Sequence, residues 1–300
     1  VGMKLNNKAR LADLSLIGVA MIWGAGFIAV QYAIEAGFPT SLMLAFRFLL
    51  GALVVFLFNI KRMLVMDMRE LKVGIIAGAL LFFSFFTQTV GQAHSSISST
   101  AFITAIYVVL VPFFTWMMTK KRPTIKMFVL VFITLIGVLV LTYHKGMPIF
   151  SLTFGNIIVL MAACGFAVHI AYLGTHAQGM DTIKLTFLQL LTAGILGAGF
   201  YFFDFTKDVS AVNWAKGLVA VIYLGIFSTA ICYLLQTWAQ SITTPSRAAI
   251  MMSAESLFGS LFSILFGFEL FRINLPIGGA LIMLCVILSE VSFFGKLRKS

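Results

Sequence analysis

Charge is scarce in this chain: Asp, Glu, Lys and Arg make up 10% of its 300 residues, against about 25% in a soluble domain. With 61% hydrophobic residues and a mean hydropathy of +1.05, a fold wetted on all sides is excluded. Cysteine is nearly absent. Cys164, Cys232 and Cys285 all lie in apolar stretches without CxxC or Cys/His ligand spacing, so neither a disulfide framework nor a metal site is expected. The ten acidic residues are dispersed. A membrane-embedded enzyme would need Asp, Glu and His clustered near one interface. There is no GxxxxGK[ST], GxSxG or HExxH, which argues against ATP drive and hydrolytic chemistry, and no cofactor is expected.

What the chain has instead is apolar length. A spanning helix needs about 20 mainly apolar residues. Ten such stretches occur, at 13–35, 41–60, 71–92, 97–118, 125–143, 155–175, 183–203, 216–238, 246–268 and 275–294. None alternates strictly as a barrel strand would. The fold class expected is an all-α polytopic membrane protein of ten transmembrane helices. The first stretch is long and lacks a small-x-small cleavage site, so it is read as a span rather than a signal peptide. Val1 and Gly2, ahead of Met3, are read as an expression remnant.

The formal charge of +11 would suggest nucleic acid in a soluble protein. Here the basic residues sit in short clusters between apolar stretches, so they are read as topology signals and no nucleic-acid partner is expected. With the N-terminus inside, sixteen Lys and Arg fall on cytoplasmic segments, Arg247 among them. Lys145, Lys207, Lys216 and Arg272 fall outside, and Arg47 stays within the second stretch. This split follows the positive-inside rule and expects both termini in the cytoplasm.

The two halves resemble each other. Gln88-Thr89-x-x-Gln92 and Gln236-Thr237-x-x-Gln240 lie 148 residues apart, and the same offset pairs Tyr107 with Glu255. An offset of 141 pairs Trp23-Gly24 with Cys164-Gly165. Both map helix n onto helix n + 5. Five is odd, so the second copy is expected upside down, a plan that recurs in secondary transporters with the substrate site near the midplane. The repeats are assigned to residues 1–145 and 146–300.

The chain resembles the drug/metabolite transporter superfamily, EamA type, from about residue 11 to 293. The resemblance rests on Trp23-Gly24-x-x-Phe27, Ala45-Phe46-Arg47-Phe48-Leu49-Leu50, the stretch Ser98 to Pro112 followed by Lys120-Lys121-Arg122-Pro123, and Thr244-Pro245-Ser246-Arg247 leading to Glu255. Glu255 is followed by Ser256 where the family often has Glu-Pro, so a proline kink is expected to be missing. The resemblance implies ten helices, both ends cytoplasmic, and alternating access around a central cavity lined by helices 1, 3, 4, 6, 8 and 9. It also implies export of small metabolites, often amino acids, across the cytoplasmic membrane. Export of organic cations is the alternative, and a membrane enzyme or a receptor are alternatives of other classes.

The candidate substrate-binding residues are Glu255, Tyr107, His169, Trp23, Thr104 and Tyr172. An acidic group in mid-helix costs about 2.5–3.5 kcal/mol on insertion scales, so Glu255 should face water or the bundle interior as a substrate-amine or proton site. An interhelical tie is the bland reading. His169 is its candidate partner, with Tyr172 expected on the same face. Thr100, Thr104 and Tyr107 form a polar stripe that either lines a cavity or bonds a neighbouring helix. Trp23 lies too deep for an interfacial anchor. Arg47 is read as structural, its stem free to snorkel or its charge to pair with a carboxylate, and it is the only buried cation available to the carboxylate of a zwitterionic substrate. Gly74, Gly78, Gly194, Gly197 and Gly199 should mark close helix contacts. The partners expected are a small-molecule substrate, the lipid bilayer and protons as candidate coupling ion, with the protein a monomer or homodimer.

Overall fold

The computed structural model describes the backbone of residues 2–63, 66–142, 153–203 and 209–297, and the side chains of 8–63, 66–140, 153–203 and 209–288. The expected boundary between repeats, at 145/146, lies outside them, as do Lys145, Lys207 and the side chains of both basic tails. Ten long helices follow one another among the described residues, with a single helical turn, Ile60–Met63, between the second and third. They are α1 (Gly2–Glu35), α2 (Thr40–Leu57), α3 (Met68–Gln92), α4 (Ile97–Thr119), α5 (Ile125–Thr142), α6 (Phe154–His176), α7 (Thr182–Phe203), α8 (Trp214–Gln240), α9 (Pro245–Leu265) and α10 (Asn274–Leu297). Eight are long and apolar enough to cross a bilayer by themselves. The described apolar parts of α5 and α10 are shorter, Ile125–Val140 and Asn274–Leu288. No strand occurs among the described residues.

Side chains are distributed as lipid requires. Large apolar groups such as Leu53, Phe83, Ile125 and Phe203 point outward, whereas Arg47, His169, Gln189, Gln236 and Glu255 are buried. In a bilayer the polar side chains are the ones that gain from facing each other.

The packing exchanges the two halves. α3 packs on α6 as α8 packs on α1, α4 on α6 as α9 on α1, and α3 on α7 as α8 on α2. The pairs α2–α7 and α5–α10 map onto themselves. Small residues set the closest approaches. Gly74 and Gly78 of α3 lie against Leu188, Gln189 and Thr192 of α7, and Gly194 and Gly197 lie against α2 at Leu49 and Ala45. Gly199, expected to do the same, has nothing beside it within 4 Å.

The hydrogen bonds correct the register of α1 and α6. Gln92 Nε2 donates to Phe27 O (2.9 Å), and its repeat mate Gln240 donates to Ile170 O (3.2 Å). Phe27 and Ile170 are 143 residues apart, not 141. Two residues is a 200° rotation on a helix, and apolar sequence alone resolves that poorly.

Two helices break at equivalent points. α4 divides into Ile97–Ala105 and Tyr107–Thr119, and α9 into Pro245–Met252 and Glu255–Leu265. Pro112 lies beyond the α4 break, but α9 breaks without a proline. There Ser253 and Ser256 hydroxyls donate to Ile250 O and Ser253 O, and Ala254 and Ser256 amides bond three residues back. Hydroxyls that compete for helical carbonyls loosen a helix. The missing Glu-Pro therefore does not leave α9 continuous.

α8 carries the other irregularity. Leu224–Ile231 is a π-helix between two α-helical segments. Gly78 packs against Thr192 and Gly225 against Leu50, so they are repeat mates, 147 residues apart. Further along, Gln88 and Gln236 are 148 apart. The second copy thus holds one extra residue, and the π-turn is where the helix absorbs it.

Candidate functional site

Where the halves meet there is a central cavity of about 40 Å³. One water needs ~10–15 Å³, so in this conformation the cavity has room for a few waters and is too small for a metabolite. Its walls come from α1 (Trp23, Phe27), α3 (Phe85, Gln88), α4 (Thr104, Tyr107), α6 (Phe166, His169), α8 (Ser228, Tyr233, Gln236) and α9 (Glu255). Arg47 enters from α2, a helix the sequence did not assign to the lining.

The two helix breaks place the polar centre. Tyr107 and Glu255 are each the first residue after the break in their helix. A half-helix start carries partial positive charge and favours a carboxylate there. The two side chains are within electrostatic reach of each other. They face each other closely enough for a side-chain hydrogen bond, but neither Tyr107 Oη nor Glu255 Oε1 has a partner in regular hydrogen-bond geometry. A buried oxygen without a donor costs about 1–3 kcal/mol or more, so an arriving ammonium or proton would be well received. Tyr233 lies within reach of both Glu255 and Arg47. Its ring is 5.4 Å from that of Trp23, whose Nε1 donates to Ser228 O at 2.8 Å.

Five of the six residues singled out from sequence line the cavity: Glu255, Tyr107, His169, Trp23 and Thr104. Tyr172 is outside it. It is half-buried near the end of α6, with its ring stacked on His176 at 4.4 Å. An i+3 step falls about 60° short of a full turn, enough to carry it off the face. His169 does not partner Glu255. It donates from Nε2 to Gln189 Oε1 (2.9 Å), and Gln189 donates onward to Thr237 (3.0 Å). Thr104 accepts from Gln88 Nε2 at 3.0 Å, whereas Thr100 bonds its own helix at Ser96 O. Arg47, for which the sequence favoured a structural role, is a lining residue. Arg247, counted as a cytoplasmic charge, is buried between α9 and α1, where its Nε donates to Asp13 Oδ1 at 3.1 Å and its Nη2 to Asp13 Oδ2.

This architecture has known counterparts. A solved crystal structure of a protein 18% identical in sequence superposes with a TM-score of 0.76 over 93% of this chain and 96% of the other, a likeness of fold. An uncharacterized transporter of Archaeoglobus fulgidus is 30% identical over 281 residues, covering 94% of this chain and 86% of that protein. The uncharacterized transporter YdfC of Bacillus subtilis is 22% identical over 239 residues, covering 77% and 75%. The EamA-like transporter family matches twice, over residues 10–143 and 153–290, once for each set of five helices. The chain therefore belongs to the EamA-like transporter family and is a multi-pass membrane transporter, not an enzyme.

Proposed function

We propose that this chain is a secondary transporter that moves small amine-bearing metabolites, amino acids or related compounds, outward across the cytoplasmic membrane. It works by alternating access around the central cavity, with both termini in the cytoplasm and protons as the coupling ion. The observation that carries the reading is Glu255, a buried carboxylate faced by the Tyr107 hydroxyl and with an oxygen that has no partner in regular hydrogen-bond geometry, on the lining of a cavity between two exchanged halves. An ammonium group or a proton satisfies that oxygen, and competition between the two at one carboxylate is a means of coupling. The titratable and charged groups that face it are Tyr107 and Tyr233, with Arg47 and His169 elsewhere on the same lining. The direction and the two-repeat division at 145/146 follow from the resemblance and the charge pattern.

Purified protein in liposomes tests this. A radiolabelled amino-acid mixture should cross in a protein-dependent manner. Glu255→Gln, which keeps shape but loses charge, should fold and lose either transport or its variation between about pH 5 and 8. Wild-type flux by that variant across the whole range would make Glu255 structural. The aromatic walls favour a second reading, export of organic cations held by ring faces. A permanent cation that is carried while amino acids are not would establish it instead.

A further inference from the structure

We propose that Arg47 is the carboxylate-binding group of the central cavity, so that the transported compound is a zwitterion whose amine meets Glu255 and whose carboxylate meets Arg47. This rests on the amine reading of Glu255.

Arg47 is 2% exposed, in the middle of a membrane helix. A buried ion costs several kcal/mol unless its charge is compensated. Among the described residues no carboxylate pairs with it. Its hydrogen bonds run to two neutral hydroxyls, from Nε to Thr229 Oγ1 (2.8 Å) and from Nη2 to Ser228 Oγ (3.1 Å). Nη1 bonds to no described residue. The guanidinium lies over the Phe85 ring at 4.0 Å, and Phe85 is itself a wall of the cavity. The plane is thus fixed from two sides while its charge stays unneutralised. A planar fork held in this way suits a carboxylate, which binds guanidinium by parallel hydrogen bonds.

Arg247 shows the contrast. It is as deeply buried, but it is clamped to Asp13 between two helices. Arg47 has no such built-in anion, yet Glu255 lines the same cavity without pairing with it. Opposite charges thus line one cavity without pairing, and Tyr233 lies in the electrostatic range of both.

The helix that holds Arg47 was altered at that point. Ser228 and Thr229 belong to the π-segment of α8 that carries the extra residue. The corresponding stretch of its repeat mate α3, which is α-helical throughout, is apolar: Leu80, Leu81 and Phe82. Gly26 and Gly51 let α1 and α2 close on Ser228 and Thr229. π-turns concentrate at functional sites because they turn backbone and side chains out of helical register.

The test is thermal unfolding of the purified protein with an equimolar mixture of the common L-amino acids, or with the same mixture as methyl esters. The esters keep the amine and lose the carboxylate. The acids should protect wild type at concentrations at least about tenfold lower than the esters. Arg47→Gln should abolish that preference, and Arg47→Lys should keep part of it. Should Arg47→Gln not fold, the acid–ester comparison on wild type decides alone. Esters that protect as well as acids, through Glu255 and regardless of Arg47, overturn the proposal and leave the amine reading standing. If Glu255→Gln changes the response to neither mixture, the amine reading itself has failed.

Discussion

Arg47 and Arg247 are both buried, and they answer the desolvation of a cation differently. Removing one partner of a buried ion pair leaves an uncompensated charge, which costs about 3–5 kcal/mol. Asp13→Asn should therefore lower the unfolding midpoint in detergent markedly, and replacing both partners with apolar residues should restore most of it. Lys216 and Glu35 form a pair at 3.1 Å with both side chains well exposed, and such pairs contribute about 0–1 kcal/mol. Lys216→Ala should leave the midpoint nearly unchanged. Glu255 was legible in the sequence because a lone acid in an apolar helix demands an explanation. Arg47's place on the cavity wall and Arg247's burial against Asp13 were not legible, because composition shows that a cation is in or near a span but not what it faces. Arg247 sits two residues beyond Pro245 at a helix start, where a solvated charge is the ordinary expectation.

At the scale of helices, apolar length gave the number and order of the elements, and the glycines their closest contacts. A Cβ at position 78 would lie 2.6 Å from Gln189 O and from Thr192 Cβ. Gly78→Leu should force α3 from α7 and cost about 1–3 kcal/mol or more, seen as loss of monodisperse protein on gel filtration. Gly199→Leu is the control, since a Cβ there meets nothing within 4 Å. The breaks in α4 and α9 and the π-turn in α8 were not legible. Each depends on which carbonyl a hydroxyl reaches or on one inserted residue, and neither changes the apolar pattern. Deleting Phe227, which faces outward, should return α8 to the ten-residue spacing of Gly78 to Gln88. The protein should still insert, and the preference for acids over methyl esters should disappear.

For the molecule as a whole, the repeat was visible from Gln88-Thr89 and Gln236-Thr237, and the contacts between helices obey the same exchange. The sense of insertion is a separate question, answered by reporters. Fusions at the N- and C-termini should both report the cytoplasm, and an external signal from either end would overturn the assigned orientation.

The exchange of halves is not perfect, and its flaw bears on energetics. At the 143-residue register Asp13 corresponds to Asn156. Asp13 is clamped to Arg247 about three turns into α1, whereas Asn156 accepts a hydroxyl bond from Ser95 at 2.7 Å in the first turn of α6. A transporter with identical halves would rest equally in its two open forms, like a balance with matched pans. Here one latch is ionic and the other neutral. Under the alternating access proposed above, the molecule should idle with the ionic contact shut, and Asp13→Asn should speed the return of the empty carrier in a counterflow assay.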